Sequence, residues 1–133
     1  MNENERVVQK IIKAVNRHDV DAEMEYMAED MTYVNDSVGT SDKNGFRDAL
    51  VMFYAAFPDV KYQVNQMVSE GDTVVVELTV TGTHKGEFLG VPPTSKKINT
   101  HLAVVMELEA GKVKRWRTYT DTATLMRQLE AIE

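Results

Sequence analysis

The chain of 133 residues is long enough for one domain whose buried core needs no disulfide or metal. It contains no cysteine, which excludes a disulfide framework, a thiolate nucleophile and a cysteine-based zinc site. The 21 acidic side chains outnumber the 15 basic ones, and the net charge of -6 is opposite in sign to a surface that neutralises phosphates. We therefore expect no nucleic-acid partner.

The sequence has no pattern of a secretion or membrane segment. Residues 2–6 are all charged or polar, and no apolar signal region follows them. No apolar stretch approaches the roughly 20 residues that a membrane-spanning helix needs. We expect a cytoplasmic protein without membrane contacts, folded as a single domain over residues 1–133.

The first part of the chain is predicted to be mostly helical. Apolar residues at helical spacing predict an amphipathic helix over 3–16 and a second, short helix over about 20–28. A short strand over 32–35 follows. The Ser, Asp and Gly content of 36–44 then predicts a loop.

A third helix is predicted over about 43–56. Ser41 or Asp42 can cap its N-terminus, and Pro58 ends it. Large aromatic residues along one side of this helix are typical of a core-facing stripe.

Strands dominate the rest of the chain, because the hydrophobic period changes to two at Lys61. The predicted segments are a hairpin that turns at 70–72, a loop over 84–95, strands over about 96–109 and 112–121, and a short helix near 125–129. Helices followed by a run of antiparallel strands favour an α+β architecture over alternating βαβ units.

Two stretches suggest a family. The first is GTHKGEFLGVPPTSKK over residues 82–97, and the second is GKVKRW over residues 111–116, followed by Tyr119 and Asp121. Together they resemble the SnoaL-like polyketide cyclases of the NTF2-like superfamily, and the resemblance covers nearly the whole chain. It implies a strongly curved, mostly antiparallel sheet wrapped around N-terminal helices as an open cone. This superfamily includes enzymes, binding proteins and partner-binding modules.

The resemblance makes Asp121 the first candidate for catalysis, because the matching aspartate of the cyclases acts as an acid/base inside the cavity. Burial in an apolar cavity would raise the pKa of such a carboxyl toward neutrality. The alternative is that Asp121 caps the C-terminal helix, and one aspartate could serve both purposes.

Strand parity adds Arg117 and Tyr119 to the predicted site. If no bulge intervenes, both share a face with Asp121, so Trp116 would point outward. An arginine on this face would also pair with Asp121 and oppose the effect of burial on its pKa.

The remaining candidates for substrate binding come from several elements. Tyr33, Asn35 and Tyr54 can supply hydrogen bonds to a carbonyl or enolate oxygen, although Tyr54 fits the core equally well. Phe88 lies in an apolar run that can cover the cone as a lid or pack against a second subunit.

The histidines have structural alternatives. His84 lies in the stretch that matches the family, where it can contact substrate or organise its loop. His101 shares a strand face with small and polar residues, which suits either a cavity wall or a solvated surface. The three histidines are too widely spaced to predict a metal site.

The leading functional prediction is a cofactor-independent enzyme that performs acid/base cyclisation of the aldol type, or isomerisation, on a small apolar or carbonyl-containing molecule. The alternative is a non-catalytic protein that binds an apolar metabolite in the same cone. A protein-interaction module is less favoured, since 88–93 is the one conspicuous apolar loop. Family members pair their sheets, so we also expect a homodimer.

Overall fold

Four helices and six strands make up residues 1–130, which are the residues that the computed structural model describes. The helices are α1 (Glu3–Asn16), α2 (Val20–Glu25), α3 (Lys43–Ala56) and α4 (Thr122–Gln128). The strands are β1 (Met27–Asn35), β2 (Gly39–Ser41), β3 (Lys61–Glu70), β4 (Thr73–Thr83), β5 (Lys97–Glu109) and β6 (Lys112–Thr120).

The strands form one sheet in the order β2-β1-β6-β5-β4-β3. Every neighbouring pair is antiparallel except β1 and β6, which run parallel. The sheet curves around the helices, so the predicted α+β cone of the NTF2-like type is confirmed.

Local side-chain bonds set where two of the helices begin. Asn2 and Glu5 form a reciprocal capping box at the start of α1, with Asn2 Oδ1 accepting from the Glu5 amide at 2.8 Å. The Asp42 carboxylate accepts from the Gly45 amide at 2.9 Å, which confirms Asp42 as the cap of α3.

The core lies on the concave face of the sheet. Apolar residues of α1 pack on β3 and β4 and join a buried cluster with Val74 and Val76 of β4 and Val104 of β5. A second cluster joins α4 to the end of α3 through Leu125, Leu129 and neighbouring residues. Among the described residues, the helices therefore pack on one face of the sheet and leave the outer face uncovered.

The structure corrects the predicted boundaries around the first strand. α2 ends at Glu25 instead of near residue 28, and β1 already begins at Met27. Pairing with β6 overrides the helical pattern, since Met27 lies opposite Val113 in the ladder. The short strand β2 also forms inside the predicted loop, because it pairs with the end of β1.

An irregularity in β6 decides which residues face the core. Leu108 pairs with Val113 and Glu107 pairs with Arg115, so Lys114 is an extra residue on β6. Val113 and Trp116 are consequently both buried, although they are three positions apart.

The segment between β4 and β5 docks on the C-terminal end of α3. The amides of Lys85 and Gly86 donate to the Ala56 carbonyl at 2.8 and 3.1 Å, which satisfies a helix-terminal acceptor. This docking holds the following turn, with Phe88, against the helix. None of the described helices is long and apolar enough to cross a membrane.

Candidate functional site

A cavity of about 160 Å³ lies between the concave face of the sheet and helices α1 and α3. That volume is roughly ten times the space that one water molecule requires. Most of its wall is apolar, and the apolar lining includes Ile12, Val15, Leu50, Phe53, Leu78, Val80, Leu102, Val104, Met106 and Leu125.

A strip of uncharged polar side chains interrupts this apolar wall. It comprises Tyr33 and Asn35 on β1, Ser37 in the turn after β1, Thr100 on β5, Thr118 and Thr120 on β6, and Thr122 on α4. The parallel pairing of β1 with β6 brings its two main parts together, because Asn35 lies opposite Thr118. Ser37 and Thr122 also join the strip through a contact between their hydroxyls.

Hydrogen bonds fix the orientation of these polar groups. Asn35 Nδ2 donates to the Tyr33 hydroxyl at 3.1 Å, while Asn35 Oδ1 accepts from the Ser37 amide at 2.8 Å. Because the Tyr33 hydroxyl accepts this bond, its proton is available for a ligand oxygen. Burial raises the pKa of Tyr33, so the phenol stays protonated near neutral pH.

Trp116 and Thr118 add a second polar pair. The indole Nε1 of Trp116 donates to the Thr118 hydroxyl oxygen at 2.8 Å. This bond satisfies the buried indole, and it leaves the Thr118 hydroxyl proton to donate elsewhere. The ring of Trp116 packs on Phe46, with ring centroids 4.9 Å apart.

No carboxylate, imidazole, ammonium or guanidinium group of residues 1–130 lines this cavity. The same residues contain no cluster of three or more acidic, histidine or cysteine side chains that could hold a metal ion. The cavity therefore offers neutral hydrogen bonds and apolar contacts to a ligand.

The predicted placement of Asp121 in an enclosed cavity is wrong. β6 ends at Thr120, and Asp121 is exposed as the N-cap of α4. Its carboxylate accepts from the Thr124 hydroxyl at 2.6 Å and from the Thr124 amide at 3.0 Å. These bonds with Thr124 lower the pKa of Asp121, which is opposite to the predicted direction. A catalytic role for Asp121 stays a prediction.

The prediction also assigned the alternating residues of β6 to the wrong faces of the sheet. Trp116, Thr118 and Thr120 face the cavity, whereas Arg117 and Tyr119 face outward. The extra residue at Lys114 explains how Val113 and Trp116 both reach the core. Arg117 pairs with Glu107 of β5 at 2.8 Å and Tyr119 is 47% exposed, so neither lies in the cavity.

The two histidine candidates also lie outside the cavity. His84 is buried against Phe57, and its Nδ1 accepts from the Thr94 amide at 3.2 Å. This contact, with the Thr94 hydroxyl 3.0 Å away, organises the loop before β5. His101 is exposed on the outer face of the sheet. His84 thus organises its loop and His101 lies on a solvated surface, which were the alternatives to substrate contact.

Tyr54 belongs to a separate polar cluster behind the cavity wall. Its hydroxyl donates to Glu23 Oε2 at 2.8 Å, and its ring stacks on His18 with centroids 4.5 Å apart. Tyr33, Asn35 and Phe88 are thus the predicted binding residues that do line the cavity. Phe88 packs edge-on against Phe53 and Phe57.

Sequence reasoning missed the polar residues of β6 and the apolar residues at the cavity opening. Thr118 and Thr120 alternate with the outward-facing Arg117 and Tyr119, and their spacing of two residues from Trp116 was the signal that all three share one face. Val38 and Leu89, which line the opening, lie in turns where periodicity carries no information on burial.

The combination of a curved sheet, helices on its concave face and a mostly apolar cavity defines a cavity protein of the NTF2-like fold. The sequence profile of the SnoaL-like polyketide cyclases matches residues 5–129, so the chain belongs to that family. No curated protein matches the sequence of this chain.

Several solved structures share this fold. AclR of Streptomyces galilaeus, to which a hydroxylase activity is ascribed, superposes with a TM-score of 0.90 at 25% identity, covering 98% of this chain and 82% of AclR. A protein of Jannaschia sp. CCS1, ascribed to the SnoaL-like polyketide cyclases, superposes with a TM-score of 0.89 at 25% identity, covering 98% of this chain and 93% of that protein. IdmH of Streptomyces antibioticus, ascribed to the polyketide cyclases, superposes with a TM-score of 0.85 at 24% identity, covering 97% of this chain and 99% of IdmH.

Proposed function

We propose that this protein binds a small, neutral and largely apolar molecule that carries a carbonyl or hydroxyl oxygen. The observation that carries the proposal is the cavity lining, which is apolar apart from one strip of uncharged donors and acceptors. A charged ligand would lose its hydration there without gaining an ionic partner, and that loss is costly. A neutral ligand gains from burial of its apolar surface.

The polar strip gives such a ligand a defined orientation. The Tyr33 and Thr118 hydroxyls can each donate a proton to a ligand oxygen, because each already accepts a bond from a neighbouring side chain. The rest of the ligand then contacts the apolar residues of α3 and β5. A few placed polar groups in an apolar cavity are typical of small-molecule sites.

Calorimetric titration with probes that differ in charge tests this proposal. We expect 4-methylphenol to bind, and we expect 4-methylbenzamide to bind at least tenfold more tightly than 4-methylbenzoate, which has nearly the same shape but is charged at pH 7.5. Tight binding of the carboxylate would contradict a neutral site. Thr118→Val keeps the shape of the side chain but removes the hydroxyl, so it should weaken phenol binding by roughly fivefold.

A second candidate function is acid/base catalysis of a cyclisation or isomerisation, with Asp121 as the base and without a cofactor. Family membership supports it, as does the position of Asp121 directly before Thr122, which lines the cavity. The test is exchange of the α-protons of acetophenone in D₂O, followed by NMR. Exchange accelerated by the protein would favour this candidate, and unaccelerated exchange would favour binding alone.

A further inference from the structure

Three apolar side chains lie where the cavity opens to solvent. Val38, in the turn between β1 and β2, is 59% exposed, Met52 on α3 is 38% exposed, and Leu89 in the loop before β5 is 42% exposed. All three also line the cavity. Single exposed apolar residues are ordinary, but several around one opening mark a contact surface. We name these three residues the apolar collar.

The backbone at Leu89 is unfavourable for a leucine. Phe88 and Val91 exchange two backbone hydrogen bonds, of 3.0 and 2.8 Å, around a two-residue turn. Both turn residues have positive φ, 48° at Leu89 and 82° at Gly90. Glycine or asparagine is favoured at such positions, because a side chain crowds the backbone there. Backbone strain of this kind concentrates at ligand-binding segments.

The size of the cavity makes the collar relevant to a ligand. A volume of about 160 Å³ is close to that of an apolar cavity known to accept benzene, so it holds one six-membered ring with little to spare. A longer ligand that places its polar ring on the strip must extend through the opening. There its next atoms meet the collar, which is contributed by three separate segments of the chain.

We propose that the ligand consists of a ring-sized polar end and an apolar extension of several carbons, and that the collar binds this extension. The inference rests on the proposed function, because it assumes that the polar end occupies the cavity. Leu89 then contributes to selection by length: its side chain covers the extension at a position where the backbone alone favours glycine.

A series of 4-alkylphenols from methyl to hexyl tests the proposal by calorimetric titration. Each methylene that leaves water for an apolar contact strengthens binding about fourfold. For the wild-type protein we expect this gain to continue through hexyl. A gain that stops at ethyl would contradict binding of the extension by the collar. Failure of even 4-methylphenol to bind would instead contradict the proposed function.

Polar substitutions that keep roughly the shape of each collar side chain test which residues contact the apolar extension. In Leu89→Asn, Met52→Gln and Val38→Thr we expect the ratio of hexyl to methyl affinity to fall, by roughly fivefold for Leu89. The matched control is Val68→Thr, because Val68 is 48% exposed but lies away from the cavity. Its ratio should equal that of the wild type.

Leu89→Asn also separates binding from folding. Asparagine tolerates positive φ better than leucine, so this variant should melt at the same or a higher temperature than the wild type. A reduced affinity ratio with undiminished melting temperature supports the proposal. An affinity ratio equal to the wild type in all three collar variants would overturn it.

Discussion

The Tyr54 hydroxyl donates a 2.8 Å hydrogen bond to Glu23 Oε2, and the other oxygen of this carboxyl has no hydrogen-bond partner. Glu23 is completely buried where α2 meets α3. Burial raises its pKa from the ordinary 4.5 to about 7, and the nearby Asp19 adds to the increase, while the bond from Tyr54 opposes it. Burial raises the pKa of Tyr62, and the negative charge of Glu23 adds to that increase.

This raised pKa makes the stability of the protein depend on pH. The folded state holds the Glu23 proton more tightly than the unfolded state, so the contribution is full below pH 4.5 and is lost as the pH rises through 7. Glu23→Gln removes the titration, and its unfolding free energy relative to wild type should rise by roughly 2–3 kcal/mol between pH 5 and pH 8.5. Urea unfolding at both pH values measures this difference.

Glu25→Gln is the matched control, because Glu25 lies on the same helix but is exposed. The difference from wild type should depend on pH much more strongly for Glu23→Gln than for this control. Equal pH dependence in the two variants would mean that burial does not shift the pKa of Glu23. Burial is the main cause that raises the pKa values of the nearby Tyr54 and Tyr62, so both phenols stay protonated between pH 5 and pH 8.5 and do not titrate in the comparison.

Gly86 permits the close approach of the loop before β5 to the end of α3. A Cβ on Gly86 would lie 2.6 Å from the Ala55 carbonyl oxygen and 3.1 Å from its carbon. Because these are backbone atoms, Gly86→Ala should displace the loop and destabilise the protein by about 1–3 kcal/mol. Thermal unfolding checks this, with Lys85→Ala at an exposed neighbouring position as the control. Equal melting temperatures for the two variants would contradict the close packing.

The fold was largely predictable because local signals and packing agree. Helix α1 and helix α3 have both the expected period and a capping residue, and the strand runs of β4 and β5 alternate regularly. The predicted first strand covered only the end of β1. The methionines of β1 fit the pattern of a helix equally well, and pairing with β6 is what places them in a strand.

The site was less predictable, because it depends on single residues that periodicity does not resolve. One extra residue at Lys114 lets Val113 and Trp116 share the core, and ending β6 at Thr120 moves Asp121 from the strand into a helix cap. Neither change alters the overall hydrophobic pattern. Both determine which side chains reach the cavity.

The outer face of the sheet is predicted to form a homodimer interface. It combines apolar residues such as Val75 and Val105 with polar ones such as His101, and no described helix covers it. A stable interface requires about 800 Å² from each subunit, and the central strands provide a continuous surface for it. We expect light scattering at micromolar concentration to give twice the 15.0 kDa chain mass.

Ala103→Glu tests where that interface lies. Ala103 pairs with Glu77 on β4 and with Tyr119 on β6, so a second carboxylate beside Glu77 should separate the subunits while the core stays intact. The control is Val51→Glu on the exposed side of α3, which should leave the mass unchanged. Val104→Glu would disrupt the core instead, because Val104 is buried on the concave face. A folded dimer of Ala103→Glu would place the interface elsewhere.

Asp121 can be tested so that its capping role and its predicted catalytic role are separated. Asparagine also caps helices well, whereas alanine does not, so Asp121→Ala should lower the melting temperature and Asp121→Asn should change it little. If acid/base chemistry occurs, both variants should lose about 10²–10⁴-fold in the rate of α-proton exchange, because neither side chain accepts a proton as the carboxylate does. Unchanged exchange in Asp121→Asn would assign the residue to the helix cap alone. The low pKa that the bonds with Thr124 produce makes Asp121 a weak base at neutral pH, so the capping role is the outcome that the geometry favours.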